Sequence, residues 1–385
     1  MVNAIRTEMP TTTAEVAEVM RSAASAGATV LVRGGGTTLH WGGSPSHVDI
    51  ELDTRGLTGV VIHEPGDLVA TVRAGTRLVE FQEALGAAGQ RLSLSAGSPE
   101  ATVGGVLATG EAGPLRLRHG AGRDLLIGVE FVRADGVVAR SGGRVVKNVA
   151  GYDLGKLLCG SYGTLAVITT ATFRLHPRPQ ARAWVVADVP TLSQLDAPLR
   201  AAATSTVVPS AVEVDLPGSG DPAGTLAVMI EGSPAGVDAR CAALQQVLPG
   251  SATSGSPPEW WGRYPFGPAD VALRLSVGVA GLPAAIAQLR SAAGAEVPVR
   301  GSAAVGVVHA TLPGDLSGDA LRETVMAARS GTEAPGSVVV LAAPPHLRDG
   351  LDLWGPVLGL DIMQRVKAQF DPDGRFVSGR FVGGI

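Results

Sequence analysis

Three stretches of this chain are stripped of side chains, and their order limits what it can fold into. The first is "LVRGGGTTLHWGG", residues 31–43, with five glycines in thirteen positions just after a strand-like run. Gly34, Gly35 and Gly36 can take backbone angles closed to other residues and let a ligand approach the main chain. Consecutive amides in such a loop form an anion-binding nest. Thr37 and Thr38 add hydroxyls and Arg33 adds charge, which together suit a diphosphate. Taken alone, the same glycines equally describe a tight turn.

The second stretch lies inside residues 91–125, "RLSLSAGSPEATVGGVLATGEAGPLRLRHGAGRDL", which has frequent Gly and Pro and no clear period. A segment so irregular inside a compact domain is either disordered or functional. Its apolar positions favour an ordered, functional one. It carries Thr102, Gly104 and Gly105, then Arg118, His119 and Gly120. The third is "GSYGTLAVIT", residues 160–169, where Gly163 and Thr164 lead into a strand. The loop at 34–36 lacks the Gly-Lys-Ser/Thr ending of a P-loop, and no helix follows at once as a dinucleotide fingerprint requires. "GSGDPAG", residues 218–224, precedes a strand and is set aside as a cofactor site.

The segments between read as alternating helices and strands. "TTTAEVAEVMRSAASAG" predicts a first helix, with Thr12 and Glu15 at capping-box spacing and Gly27 as its stop. Glu64-Pro65-Gly66-Asp67 predicts a turn between two strands, and Asp135-Gly136 a hairpin. "DLGKLLCGS" predicts a short helix capped by Asp153. From residue 181 the pattern predicts an antiparallel sheet with helices on one face. The last 40 residues predict a helix and a glycine-punctuated tail.

Composition narrows the function. The 385 residues are 45% hydrophobic and 17% charged, enough for two or three buried cores. The net charge is −4 with no basic run, which argues against a nucleic-acid partner. Two cysteines, Cys159 and Cys241, cannot staple the fold, ligate an iron–sulfur cluster or hold structural zinc. No apolar h-region opens the chain and no run approaches a membrane span. A cytoplasmic protein is expected, peripheral at the inner membrane face at most.

The order "RGGGT…GG", "ATVGG…ATG", "RHG" and "KNVAGYDLGKLLCGSYGTLAVIT" resembles flavoproteins with a vanillyl-alcohol-oxidase-type (PCMH-type) FAD-binding domain. Within them it resembles the smaller FAD-binding subunit of bacterial glycolate oxidases. "EWWGRYPF…LRLSV", residues 259–277, and the tail "VKAQFDPDGRFVSGRFVGGI" share that resemblance. It implies an α+β, two-lobed FAD-binding domain over 1–180, an α/β cap domain over 181–345, and a segment over 346–385 returning to the FAD domain. It implies that Arg33, Gly34, Gly35, Gly36, Thr37 and Thr38 hold the diphosphate. Thr102, Val103, Gly104, Gly105, Ala108 and Thr109 would line the flavin and ribityl chain. His119 and Gly120 would lie close by, with Gly163, Thr164, Ala166 and Val167 contacting FAD through backbone. Thr37 stands where some relatives carry a flavin-linked His, so non-covalent FAD is expected.

The resemblance also implies partners: a larger FAD-linked oxidase subunit, an iron–sulfur subunit, and a small 2-hydroxy acid such as glycolate or D-lactate. Departures from related metal-dependent dehydrogenases are Tyr162 for Glu, Ala166 for Gly, and Val377-Ser378-Gly379-Arg380 for Asn-Pro-Gly-Arg. Those relatives carry metal-binding His residues in the cap. Here His309 and His346 stand far apart, and no metal is expected. His309 is then either a catalytic base or a core residue. Arg274 and Arg263 either clamp a carboxylate or make ion pairs. Trp260 and Trp261 either wall the flavin or pack the domain seam, and Lys147 and Asn148 are candidates to reach it. A self-sufficient dehydrogenase and a non-catalytic flavin scaffold are the alternative functions.

Overall fold

The computed structural model describes residues 5–144, 151–218, 220, 222–331, 336–348 and 350–385. The chain divides into two compact units. One comprises Met1–Ala112, His119–Arg178 and Val357–Ile385, the other Gly113–Arg118 and Pro179–Pro356. Lys147 and Asn148 lie outside the described residues.

The first unit holds two main sheets and a two-stranded pairing of Gln90–Arg91 with His176–Pro177. Its opening helix, Thr13–Ala26, starts where the Thr12 hydroxyl accepts from the Glu15 amide, and stops at Gly27 with φ 68°. The Glu15 carboxylate accepts from the Thr11 amide at 2.7 Å, one residue earlier than a capping box requires. Val16, Ala17, Met20 and Ala23 form its buried stripe against Val30, Ile50, Leu52 and Phe376. Each such large side chain contributes about 1.5–3 kcal/mol when buried.

Below that helix runs a parallel three-stranded sheet in the order Arg6–Glu8, Ile50–Asp53, Val30–Arg33. The returning C-terminal segment bridges its edge: the Val30 amide donates to the Arg375 carbonyl at 2.7 Å, and the Val377 amide donates to the Val30 carbonyl at 3.2 Å. The second sheet is antiparallel, in the order Val60–Glu64, Val69–Arg73, Val167–Arg174, Leu126–Val132, Val138–Gly142. Its hairpin turns at Gly136 with φ 78°.

The irregular segment contains a helix, Val103–Thr109, capped by the Thr102 hydroxyl accepting from the Gly105 amide at 3.3 Å. Gly104 and Gly105 in its first turn obscure it, because glycine costs roughly 1 kcal/mol relative to alanine inside a helix. Tertiary packing overrides that cost. A Cβ on Gly104 would sit 2.9 Å from the Ala74 Cβ, so the glycine lets the helix settle on the neighbouring strand.

The second unit is built on one eight-stranded sheet. Its order is Ala252–Ser254, Ala181–Val189, Gly224–Gly232, Ala211–Leu216, Val299–Ser302, Val307–Leu312, Val271–Ser276, Ser337–Ala342, and every pairing is antiparallel. Strand residues alternate between faces. One set, including Val212, Val214, Val228, Leu273, Val308 and Val340, joins the core with Leu199, Leu244, Ile286, Leu289 and Val325 from four helices. The other set carries the polar side chains described below.

Candidate functional site

The three glycine-rich stretches meet in one cleft of the first unit. Among the described residues it is lined by Gly34, Gly35, Gly36, Thr37, Thr38, Thr102, Gly104, Gly105, Ala108, Thr109, Gly163 and Ala166, with Val32, Leu39, Thr54, Ser161, Tyr162, Ile168 and Arg380. The lining holds six glycines, five threonines and an arginine but no carboxylate, a donor set that suits a polyanion. Of the residues singled out in the sequence, Arg33, Val103, His119, Gly120, Thr164 and Val167 lie off the lining.

The glycines do two different jobs. Cβ atoms on Gly34 and Gly35 would lie 2.2 Å from Thr102 Oγ1 and 1.9 Å from the Glu100 carbonyl oxygen. Those two glycines bring the first loop flush against the 100–102 segment, which is loop-to-loop closure. Gly36 and Gly163 have φ of 73° each, the left-handed region where glycine is unstrained. Tyr162 shares that region at φ 57° and is held there by packing. Its ring stacks on Phe381 at 5.3 Å, and its amide donates to the Ala108 carbonyl at 2.8 Å.

Arg33 turns toward the sheet, where its guanidinium pairs with Glu51 at 2.9 Å. The arginine of the cleft comes from the far end of the chain. Arg380 is buried and donates to the carbonyls of Leu39 at 2.8 Å and Trp41 at 3.3 Å, clamping the loop after the glycines. Lys367 does the same for the third stretch: its ammonium donates to the Thr164 carbonyl at 2.9 Å. Neither residue was singled out in the sequence, though both stand in the tail that carried the family resemblance. Thr164 is buried, its hydroxyl donating to the Ser161 carbonyl at 2.7 Å. The His119 ring lies 4.2 Å from His176, whose Nδ1 is 3.1 Å from Ser93 Oγ.

The remaining candidates sit in the second unit. Arg274 and His309 are directly opposite on neighbouring strands. The Tyr264 ring covers His309 edge-on at 4.7 Å. Burial, with the Arg274 and Arg116 guanidiniums, pulls the His309 imidazole down to about 3. A base that weak does not retain a proton near neutral pH, so His309 stands as a neutral ring. Arg263 is exposed on a loop, its amide donating to the Trp260 carbonyl at 3.1 Å, and His346 is exposed in a short 3-10 turn. Trp261 packs edge-on against Trp184 at 6.0 Å in a small apolar cluster. Sequence reasoning missed Arg116, which interacts electrostatically with Arg274 and His309, and Glu213, which interacts with Arg116.

A cleft of threonine hydroxyls and bare backbone, closed by a returning tail, suits the diphosphate of a nucleotide cofactor. Residues 6–142 match the family model described as FAD binding domain. The matched stretch covers the first unit's two larger sheets apart from strand Val167–Arg174, and the cofactor it points to is FAD. It is 46% identical over 132 residues to glycolate oxidase subunit GlcE of Escherichia coli K12, covering 34% of this chain and 38% of that protein. It is 37% identical over 183 residues to a D-lactate dehydrogenase of Archaeoglobus fulgidus, covering 48% and 41%. It is 31% identical over 179 residues to glycolate oxidase subunit GlcD of Bacillus subtilis, covering 46% and 38%. The match thus spans about two-fifths of the length of these relatives. The fold matches that of an alkyldihydroxyacetonephosphate synthase with a TM-score of 0.72 at 18% identity, over 96% of this chain and 75% of that one. Among the described residues no helix is long and apolar enough to cross a membrane.

Proposed function

We propose that this chain is the FAD-binding subunit of a glycolate-oxidase-like 2-hydroxyacid:acceptor oxidoreductase. The observation that carries the reading is the carboxylate-free cleft built from three separated glycine-rich segments, in a chain similar to subunits with that name. Bound FAD supplies an acceptor for the hydride equivalent of a hydroxy acid's α-carbon. The chain's own residues bind and orient it. Gly34–Thr38 take the diphosphate, Thr102–Thr109 and the 161–166 loop flank the flavin end, and Lys367 and Arg380 hold those loops in place. Thr37 offers no imidazole for a covalent link, so the cofactor is held by contacts alone.

In the same reading Arg274 takes a substrate carboxylate, and an iron–sulfur subunit receives the electrons. Cys159 is half-buried and its thiol is pushed up to about 12, chiefly by burial. Burial also raises Cys241. Two cysteines are too few for the four thiolates that hold a cluster, so in this reading electron transfer toward one passes to another chain. The larger flavoprotein subunit is the second partner.

The test is a visible spectrum of the purified chain, followed anaerobically after adding glycolate or D-lactate, with and without co-purifying partners. Bleaching only within the complex supports the subunit reading. Bleaching of the chain alone replaces it with a self-sufficient dehydrogenase. Flavin that stays oxidised in a complex that is turning over replaces it with a scaffold.

A further inference from the structure

On the polar face of the eight-stranded sheet, neighbouring strands hold a row of side chains in register. His309 lies opposite Arg274 on one side and Arg300 on the other, and Arg300 lies opposite Asp215. Arg300 Nε reaches Asp215 Oδ1 at 2.7 Å, and one of its terminal nitrogens donates to the Tyr264 carbonyl at 3.2 Å. Two residues along the same strand as Asp215, Glu213 faces Ser302, whose hydroxyl donates to Glu213 Oε1 at 2.6 Å. Arg116, from the 113–118 segment of this unit, interacts electrostatically with Arg274, Glu213 and Tyr264.

The charges in this cluster do not close on themselves. Arg300 has Asp215. Among the described residues, neither Arg116 nor Arg274 has a carboxylate within ion-pairing distance. Burial lowers the Arg116 pKa first and the Arg274 charge lowers it further, both guanidiniums being half-buried. Like charges held together out of water are costly, and a carboxylate binding both forks removes the cost. Among the described residues the acid that interacts with Arg116 is Glu213, which is 5% exposed and turned to Ser302.

We propose that Arg116 and Arg274 form a seat for a small carboxylate anion, and that Glu213 controls it: the seat fills while Glu213 keeps its proton and empties when Glu213 ionises. An ionised Glu213 is a second, internal anion. It competes for Arg116 and repels the ligand. A protonated Glu213 leaves both guanidiniums to the ligand. Burial pushes Glu213 up to about 7 against the opposing pull of Ser302 and Arg116, so the exchange falls near neutral pH. The groups around it are Arg116 and Ser302, then Arg274, His309 and Tyr264, then the Arg300–Asp215 pair. His309, pulled down by burial and the neighbouring guanidiniums, stays neutral across this range.

The proposal rests on the preceding reading only for the choice of a small carboxylate. Its test uses oxalate, which has no oxidisable hydroxyl and keeps its charge between pH 6 and 8.5, with calorimetric binding to the FAD-loaded chain. Oxalate is expected to bind roughly thirtyfold more weakly at about pH 8.5 than at about pH 6, the ratio set by a single titration near 7. Glu213→Gln abolishes that loss and keeps the acid-side affinity. Arg116→Met and Arg274→Met each weaken binding about tenfold or more at about pH 6, with Arg116→Lys retaining part of it. Thermal melts of each variant separate lost binding from lost fold. Binding that is absent, pH-independent, or still pH-dependent in Glu213→Gln overturns the seat. Flavin bleaching by glycolate is read separately. A pH-dependent oxalate seat on a flavin that is never reduced refutes the oxidoreductase reading and leaves the seat standing.

Discussion

The Lys367 ammonium lies 2.5 Å from a carboxylate oxygen of Asp371, one helical turn further on, and both side chains are nearly closed to water. Asp371 also accepts from the amides of Arg375 at 2.6 Å and Phe376 at 2.9 Å, while Lys367 reaches across to the Thr164 carbonyl. This pair therefore ties the returning tail to the loop that lines the glycine-rich cleft. Replacing Lys367 with Met strands a buried carboxylate, and is expected to cost about 3–5 kcal/mol in urea unfolding. Asp371→Asn added to that variant should recover part of the loss, since it removes the uncompensated charge. FAD retention should fall in the single variant by more than in the double.

Gly35→Ala is expected to release FAD, because its Cβ would meet the Glu100 carbonyl oxygen at 1.9 Å and force the two loops apart. Gly35→Asp adds a carboxylate to a lining that has none and should be worse. Gly66→Ala is the control: nothing lies within 4 Å of its Cβ and its φ is not in the left-handed region. The ratio of flavin to protein absorbance after gel filtration measures all three. A yellow Gly35→Ala at normal stoichiometry contradicts the loop contact.

Arg380→Met removes the donors to the Leu39 and Trp41 carbonyls. Two buried carbonyls then lose a charged partner, at about 1–3 kcal/mol each. The expected result is a chain that folds with a lower melting temperature and binds FAD about tenfold or more weakly by fluorescence titration.

Two buried groups make stability depend on pH in opposite senses. His309 is protonated below about 6.5 when unfolded but only near 3 when folded, so acidification through that window destabilises the native state. Glu213 ionises near 4.5 when unfolded but near 7 when folded, so stability falls as pH rises from about 4.5 to 7. Glu213→Gln should match the native chain at about pH 4.5, gain on it through that window, and lead by on the order of 3 kcal/mol above pH 7. Denaturant midpoints across pH check this, and a constant difference between the two chains contradicts it.

Much of the architecture is readable along the chain, because the determinants are local. Thr12 and Gly27 delimit a helix, Asp135-Gly136 turns a hairpin, and Asp153 caps a short helix by accepting from the Lys156 amide at 3.3 Å. Each acts within a few residues through backbone angles and hydrogen bonds that the residue type itself prefers. The density and order of the three glycine-rich stretches likewise point to a dinucleotide held on bare backbone.

What only the tertiary structure decided is how distant residues converge. Helix Val103–Thr109 exists against the preference of its own glycines because Gly104 fits against Ala74. Arg33, next to the glycine loop in sequence, pairs with Glu51, while the cleft's arginine comes from position 380. Lys367 reaches a carbonyl 203 residues away. The register of an eight-stranded sheet sets Glu213 against Ser302 and Arg274 against His309, Arg116 joins them from a separate segment, and burial there raises Glu213. Sequence encodes the short-range preferences of the backbone. Which charges end up adjacent, and how far from solvent, is settled by long-range packing.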